Sequence, residues 1–169
     1  GLTPKNAQGE YYLTDTVAAS NAAGLRAGAF VCADADMTLG ANDRRQLRTL
    51  NEIARMRVLE RHLDNGVDIP CFDGVMIAPD VQIEHDAQVL PGTVLRGNTR
   101  IGAHSVIGPN SYVENSIIGA DTRVLASYIT DSTVGSGTRI GPFTQLRPDS
   151  HIGDGVKIGD FVEIKNSTI

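Results

Sequence analysis

The sequence predicts a mainly β protein, a parallel β-helix of hexapeptide repeats that follows a connecting helix and the end of a different domain. Three observations carry that reading. An apolar residue returns at every sixth position from Ile77 onward. A stretch with helical spacing and dense charge precedes it. Ahead of that stretch, residues 1–41 hold too little apolar sequence to close a core of their own.

Composition sets the outer limits. The chain has 169 residues, of which 41% are hydrophobic and 21% charged, as in an ordinary globular protein. Aromatics make up only 5%, Trp is absent and there are 18 Gly, so the core is built from Val, Ile, Leu and Ala with many tight turns. The net charge of −5 argues against nucleic acid, whose binding needs clustered Lys and Arg. No apolar run is long enough to span a membrane, and no signal peptide is visible. Cys32 and Cys71 are too few for a disulfide framework and suit a reducing compartment. The chain opens on "GLTPKNAQGEYY" without Met, and is expected to be cut from something longer.

Within residues 1–41, Leu13–Ala23 reads as a short helix bounded by Thr14 or Asp15 and by Gly24, and Ala29–Ala33 reads as a strand. Next, Leu47, Leu50, Ile53, Ala54 and Leu63 stand at helical spacing. Asn42 or Asp43 caps that helix and Gly66 ends it, while Arg and Glu crowd its polar face. The solenoid follows. Ile77, Ile83, Val89, Leu95, Ile101, Ile107 and Val113 keep one phase, and Val134, Ile140, Leu146, Ile152, Ile158 and Ile164 resume it. Small residues such as Thr93, Thr99, Ser105 and Ser111 stand four places after each apolar one. Three such units close one triangular coil, and about five coils fit. The phase slips between Val113 and Val134, so Asn115–Thr133 is expected to hold a protruding loop, with Tyr128 breaking the small-residue rule. Coils bury their faces only on their neighbours, so solenoids need caps, and Ile169 offers none.

Three motifs then occur in one order: "NAQGEYYLTD", "LGANDR" and "GPFTQLRPDSHIGDGVKIGDFVEIKNSTI". In these the whole chain resembles the bifunctional bacterial N-acetylglucosamine-1-phosphate uridyltransferases/glucosamine-1-phosphate acetyltransferases. The resemblance implies a left-handed β-helix that transfers acetyl from acetyl-CoA to glucosamine-1-phosphate. It implies a preceding Rossmann-like domain that joins UTP to N-acetylglucosamine-1-phosphate with Mg²⁺. It places 1–45 at the end of the nucleotidyltransferase domain, 46–70 in the linker helix and 71–169 in the first half of the acetyltransferase domain. A homotrimer in the bacterial cytoplasm, feeding cell-wall and lipopolysaccharide precursors, is implied too. The family's Gly-rich nucleotide loop would precede Gly1 and its catalytic His would follow Ile169. No catalytic residue is therefore expected in this segment, and the 169 residues alone are expected to be inert.

The resemblance gives Asn42 of "GANDR" as a Mg²⁺ ligand, where the residue pattern alone gives a helix cap. It puts Tyr12 and Thr14 in the sugar pocket of the uridyltransferase site, where the bland alternative is packing and capping. Arg147 and Lys165 stand eighteen positions apart, directly after Leu146 and Ile164, where Gly153 and Gly159 follow Ile152 and Ile158. That interval is one coil, so the two cations lie one above the other, and a phosphate would reconcile them. The resemblance makes it the phosphate of glucosamine-1-phosphate. Glu163 shares their face, as an ion-pair partner or a group near the acetyl acceptor. His62, His85, His104 and His151 read as surface residues, none a coil apart from another. A second reading keeps the fold but makes the solenoid a regulatory, oligomerising tail, as in sugar nucleotidyltransferases of the ADP-glucose and GDP-mannose type. A third is a scaffold without ligand.

Overall fold

The computed structural model describes residues 2–4 and 7–169; Asn6 of "NAQGEYYLTD" lies outside them. Two compact units divide the chain, Gly1–Leu39 and Gly40–Ile169. The first holds α1 (Asp15–Ala22) and a 3₁₀ turn (Ala35–Thr38). Thr14 occupies the N-cap of α1 without a side-chain capping bond, and Gly24 turns the chain away at φ 75°. The expected strand at Ala29–Ala33 is absent. Phe30 and Val31 are exposed, and no strand lies beside them among the described residues of this unit. Extended chain becomes a strand only by pairing.

The second unit opens with α2 (Arg44–Asp64). Asp43 caps it by accepting from the Gln46 N–H at 2.8 Å, and Gln46 Oε1 accepts from the Asn42 N–H at 2.7 Å. A Schellman motif ends it: Gly66 N–H donates to Leu63 and Val67 N–H to His62, with Gly66 at φ 82°. The helix docks on the first coil through buried Leu59 and two arginines. Arg55 donates to the carbonyls of Phe72 and Val75 at 3.2 and 3.0 Å, and Arg61 to that of Pro79 at 2.8 Å.

His62 corrects the expectation of a surface histidine. It is only 3% exposed, and neither ring nitrogen has a hydrogen-bond partner. Its place is one turn from Leu59, on the stripe that meets the solenoid, and the polar composition of α2 hides that. Burial, and secondarily Arg61, push its pKa below the ordinary 6.5. The folded protein therefore holds His62 neutral while the unfolded chain protonates it. Stability is full above the unfolded value and falls as pH drops below it. Urea midpoints at pH 7.5 and 5.5 should show that loss, and His62→Phe should flatten it. An unchanged pH slope in the variant would rule His62 out as the cause.

Sixteen short parallel strands then wind a left-handed β-helix with three faces. The first sheet stacks Met76–Ile77, Val94–Arg96, Tyr112–Glu114, Tyr128–Thr130, Gln145–Leu146 and Glu163–Ile164. The second stacks Gln82–Ile83, Arg100–Ile101, Ile117–Ile118, Thr133–Val134 and His151–Ile152. The third stacks Gln88–Val89, Val106–Ile107, Arg123–Val124, Arg139–Ile140 and Lys157–Ile158. One Val, Leu or Ile per strand points inward, and these residues make most of the core, joined by Leu59, Val67, Ile69, Val75, Val81 and Ala87.

No loop protrudes from Asn115–Thr133. Val113 pairs with Ile129 and Ile118 with Val134, sixteen positions apart rather than eighteen, so this coil is shortened at its corners. The reason is local. Ordinary corners place a left-handed residue three positions after the inward one, as at His104, Asp121 and Asp149. At Asn115, Ala126 and Asp131 it comes one position earlier, and the chain turns with one residue less. Asn and Asp accept that conformation most readily among residues with a side chain. Each of these residues is followed by a buried hydroxyl: Ser105, Ser116, Thr122, Ser127, Ser132 or Ser150. Ile129 is thus the inward residue and Ser127 the small one. Tyr128 points outward and stacks on Tyr112 at 4.4 Å.

The hydroxyls also stitch coils together. Ser105 Oγ donates to the Gly119 carbonyl at 2.8 Å and accepts from the Thr122 N–H at 3.0 Å. Thr122 repeats this toward Gly135 and Thr138, and Ser132 Oγ donates to the Arg147 carbonyl at 2.9 Å.

Candidate functional site

Arg147 and Lys165 occupy the end of the first sheet, one residue past its last two strands. Leu146 pairs with Ile164, and the Arg147 N–H donates to the Ile164 carbonyl at 2.9 Å, so the two cations follow in register on adjacent coils. Arg147 is half-buried and Lys165 exposed. Glu163 stands on the same face and closes an ion pair with Arg147, Nη1 to Oε1 at 2.8 Å. Their side chains are 42% and 56% exposed, which makes this a weak, screened pair. The Lys165 ammonium has no ion pair among the described residues. One carboxylate thus faces two stacked cations and leaves a net positive patch.

The contrast with glycine has a different origin from the one expected. Gly153 and Gly159 belong to the second and third sheets. On the second sheet, Gly102, Gly119 and Gly135 stand after the inward residue because a Cβ there would lie 2.5–2.6 Å from backbone nitrogen of the next coil. On the first sheet the equivalent positions are Ala78, Arg96, Glu114, Thr130, Arg147 and Lys165, with no glycine. The cations fill a row that accommodates side chains; what sets them apart is their identical charge on adjacent coils.

Asn42 and the Tyr12–Thr14 stretch fall in different units. Asp43 caps α2, so the Asn42 side chain is spared that task; it is exposed and forms no hydrogen bond among the described residues. Tyr12 is half-buried and its hydroxyl donates to Gln8 Oε1; Thr14 is exposed. Thr14 therefore makes no side-chain cap.

The remaining histidines stay at the surface, with one correction. His85 and His104 meet edge to face across neighbouring coils at 5.8 Å, although nineteen positions separate them in sequence. His85 Nδ1 lies 2.7 Å from Asp86 Oδ2, and His151 Nδ1 lies 2.8 Å from Thr133 Oγ1. Among the described residues no group of three His, Cys, Asp or Glu is arranged to hold a metal ion. No helix among them is long and apolar enough to cross a membrane.

Sequence reasoning missed Phe143 and Phe161. Both have a left-handed backbone, φ 57° and 56°, both are exposed, and their rings stack at 5.5 Å at the corner that precedes the last two strands of the first sheet. A bulky residue in that conformation is unusual. Its signal is the place just before Thr144 and Val162, where other corners use Asn or Asp.

Known proteins resemble the chain along its length. The bifunctional protein GlmU of Clostridioides difficile strain 630 is 45% identical over 168 residues, covering 99% of this chain and 37% of that protein. GlmU of Streptococcus thermophilus strain LMD-9 is 40% identical over 168 residues, covering 99% and 36%. The chain thus spans little more than a third of the length of these relatives. Among solved structures, the acetyltransferase domain of PglB from Neisseria gonorrhoeae FA1090, in complex with acetyl coenzyme A, superposes with a TM-score of 0.53 at 18% identity. That match covers 70% of this chain and 62% of that one, and it speaks to the fold. The family model of the GMPPB C-terminal domain matches residues 77–169. The chain therefore belongs, through its solenoid, to the family of the GMPPB C-terminal domain, and along its length it is a relative of part of the bifunctional GlmU proteins.

Proposed function

We propose that this chain is part of a bifunctional enzyme of UDP-N-acetylglucosamine synthesis, and that the end of the first sheet holds the acetyl acceptor. The observation that carries this is the register of Arg147 over Lys165, inside a chain 45% identical to GlmU over 168 residues. Arg147 grips two oxygens of the phosphate of glucosamine-1-phosphate with its planar fork, and Lys165 adds a compact charge. With the phosphate fixed, the sugar amine is presented to the thioester of acetyl-CoA. The nitrogen attacks the carbonyl carbon, the C–S bond breaks and free thiol leaves; the proton that the amine loses goes to a base outside this chain's assigned residues. Thiol release on mixing the full-length protein with acetyl-CoA and glucosamine-1-phosphate tests the reaction. Its absence would sink the reading.

Uridyl transfer from UTP to N-acetylglucosamine-1-phosphate is the second reaction. Tyr12 and Thr14 would line its sugar pocket. Asn42 would give one amide oxygen to Mg²⁺, which neutralises the phosphates. The uncommitted Asn42 side chain fits that role, and Mg²⁺ takes few protein ligands beside phosphates and water. The 169 residues by themselves are expected to catalyse neither reaction. A cytoplasmic setting suits both substrates.

Three copies around one axis are the proposed assembly, closing three-sided prisms on each other. Sedimentation at several concentrations should give the trimer mass; monomer throughout would count against it. A second reading, a solenoid that regulates and oligomerises without binding an acetyl acceptor, is favoured by one observation: the matching family is named for GMPPB. The thiol assay separates the two.

A further inference from the structure

We propose that the third sheet carries a second anion site, for an extended oligophosphate, built from Arg123, Arg139 and Lys157. These are the outward residues of consecutive strands and direct register partners: Arg123 beside Arg139, and Arg139 beside Lys157. Stacked strands lie about 4.8 Å apart, so the three cations form a column about 10 Å tall. Like charges directly opposite one another on paired strands destabilise a sheet. No ion pair relieves this among the described residues. All three side chains are exposed, and none has an ion pair or hydrogen bond among the described residues.

The other faces lack such a run. Over the same coils, the outward residues of the first sheet are Tyr128, Gln145 and Glu163, and those of the second are Ile117, Thr133 and His151. A molecule of net charge −5 has acidic residues in excess, yet none is spent here between the rungs.

The surface at the column is concave, a recess of about 370 Å³ with Asp121, Leu125 and Gly141 among its walls. Leu125 closes one end; Gly141 is held to glycine because a Cβ there would lie 2.1 Å from the Leu125 carbonyl oxygen, and Gly159 has open space. The cations thus stand along a low shelf of glycine backbone. Asp121 repels anions at the Leu125 end and biases the site toward Arg139 and Lys157. Guanidinium forks suit phosphate oxygens, and a column three rungs tall suits phosphates joined in line better than a single one. The site is separate from Arg147 and Lys165, which follow the strands of the neighbouring sheet.

Calorimetric titration of the full chain with inorganic tripolyphosphate and with orthophosphate, at matched ionic strength, tests this. Tripolyphosphate should bind about tenfold tighter or better, and Arg139→Gln should weaken it about tenfold while leaving orthophosphate little changed. Without ligand, the same variant should melt no lower than the parent, because a repulsion has been removed. Equal affinity for both anions would overturn the proposal. So would equal displacement by poly-glutamate, the signature of unselective charge, or tripolyphosphate binding lost in Arg147→Ala but kept in Arg139→Gln.

Discussion

Arg147→Ala in the full-length protein should lower acetyl transfer about 10- to 100-fold and leave uridyl transfer near normal. Lys165→Ala should do the same to a smaller degree. A hydrogen bond to a charged group contributes about 1.5–3 kcal/mol, and Arg147 can offer a phosphate two of them. Its present partner, Glu163, is a weak competitor, since an exposed ion pair contributes about 0–1 kcal/mol. A dianion with both cations in reach therefore displaces it. Much of the loss should fall on KM for glucosamine-1-phosphate, because the phosphate makes and breaks no bond in acetyl transfer, so its clamp holds ground state and transition state alike. Glu163→Gln sharpens the test: it frees Arg147 and should lower KM or leave it unchanged. If acetyl transfer survives both cation changes, these residues are not the clamp. If both activities fall together with the melting temperature, the patch is structural.

Gly119→Val should be strongly damaging to the solenoid, at about 3 kcal/mol or more. A Cβ at Gly119 would lie 2.6 Å from the Ser136 nitrogen and 2.7 Å from the Gly135 carbonyl carbon. Both are backbone atoms of the next coil. They cannot retreat, because Gly119 N–H already donates to Val134 at 2.8 Å, and the coils are locked at that spacing. Overpacking usually costs less, where a side chain can move aside. Gly159→Ala is the control: nothing lies within 4 Å of its Cβ, so urea midpoints should scarcely change. A Gly119→Val protein with the parent's midpoint would mean that the coils can spread.

Much of the fold is legible because its two periods are physical. The sixfold recurrence of Ile and Val fixes the inward row, and the 3.6-fold spacing of Leu47, Leu50 and Ile53 fixes α2. Asp43 and Gly66 are where capping chemistry puts them. The shortened coil is misread as a loop because a counted period fails when each of three corners loses one residue. Reading Asn115–Ser116, Ala126–Ser127 and Asp131–Ser132 as left-handed corners followed by inward hydroxyls restores the count. His62 is misplaced because burial depends on what meets a helix, which no local pattern states. Of the site, the stacking of Arg147 and Lys165 is legible from their separation alone, whereas the Arg147–Glu163 pair needs side-chain reach, and the glycine contrast needs the three faces told apart. The column of Arg123, Arg139 and Lys157 escapes an eighteen-residue count because Arg123 and Arg139 are sixteen positions apart, across the shortened coil.

The inward hydroxyls have a consequence for isotope exchange. Seven backbone amides, those of Ser116, Thr122, Ser127, Ser132, Thr138, Thr144 and Val156, donate to a Ser or Thr oxygen of the preceding coil. All but the Val156 bond are buried, so these protons cannot be reached by fraying of a single strand. Deuterium enters only when two adjacent coils part, so these amides time the separation of coils. A solenoid opens by neighbour steps rather than all at once. Their uptake half-lives, set out in chain order, would trace the direction in which the prism unzips.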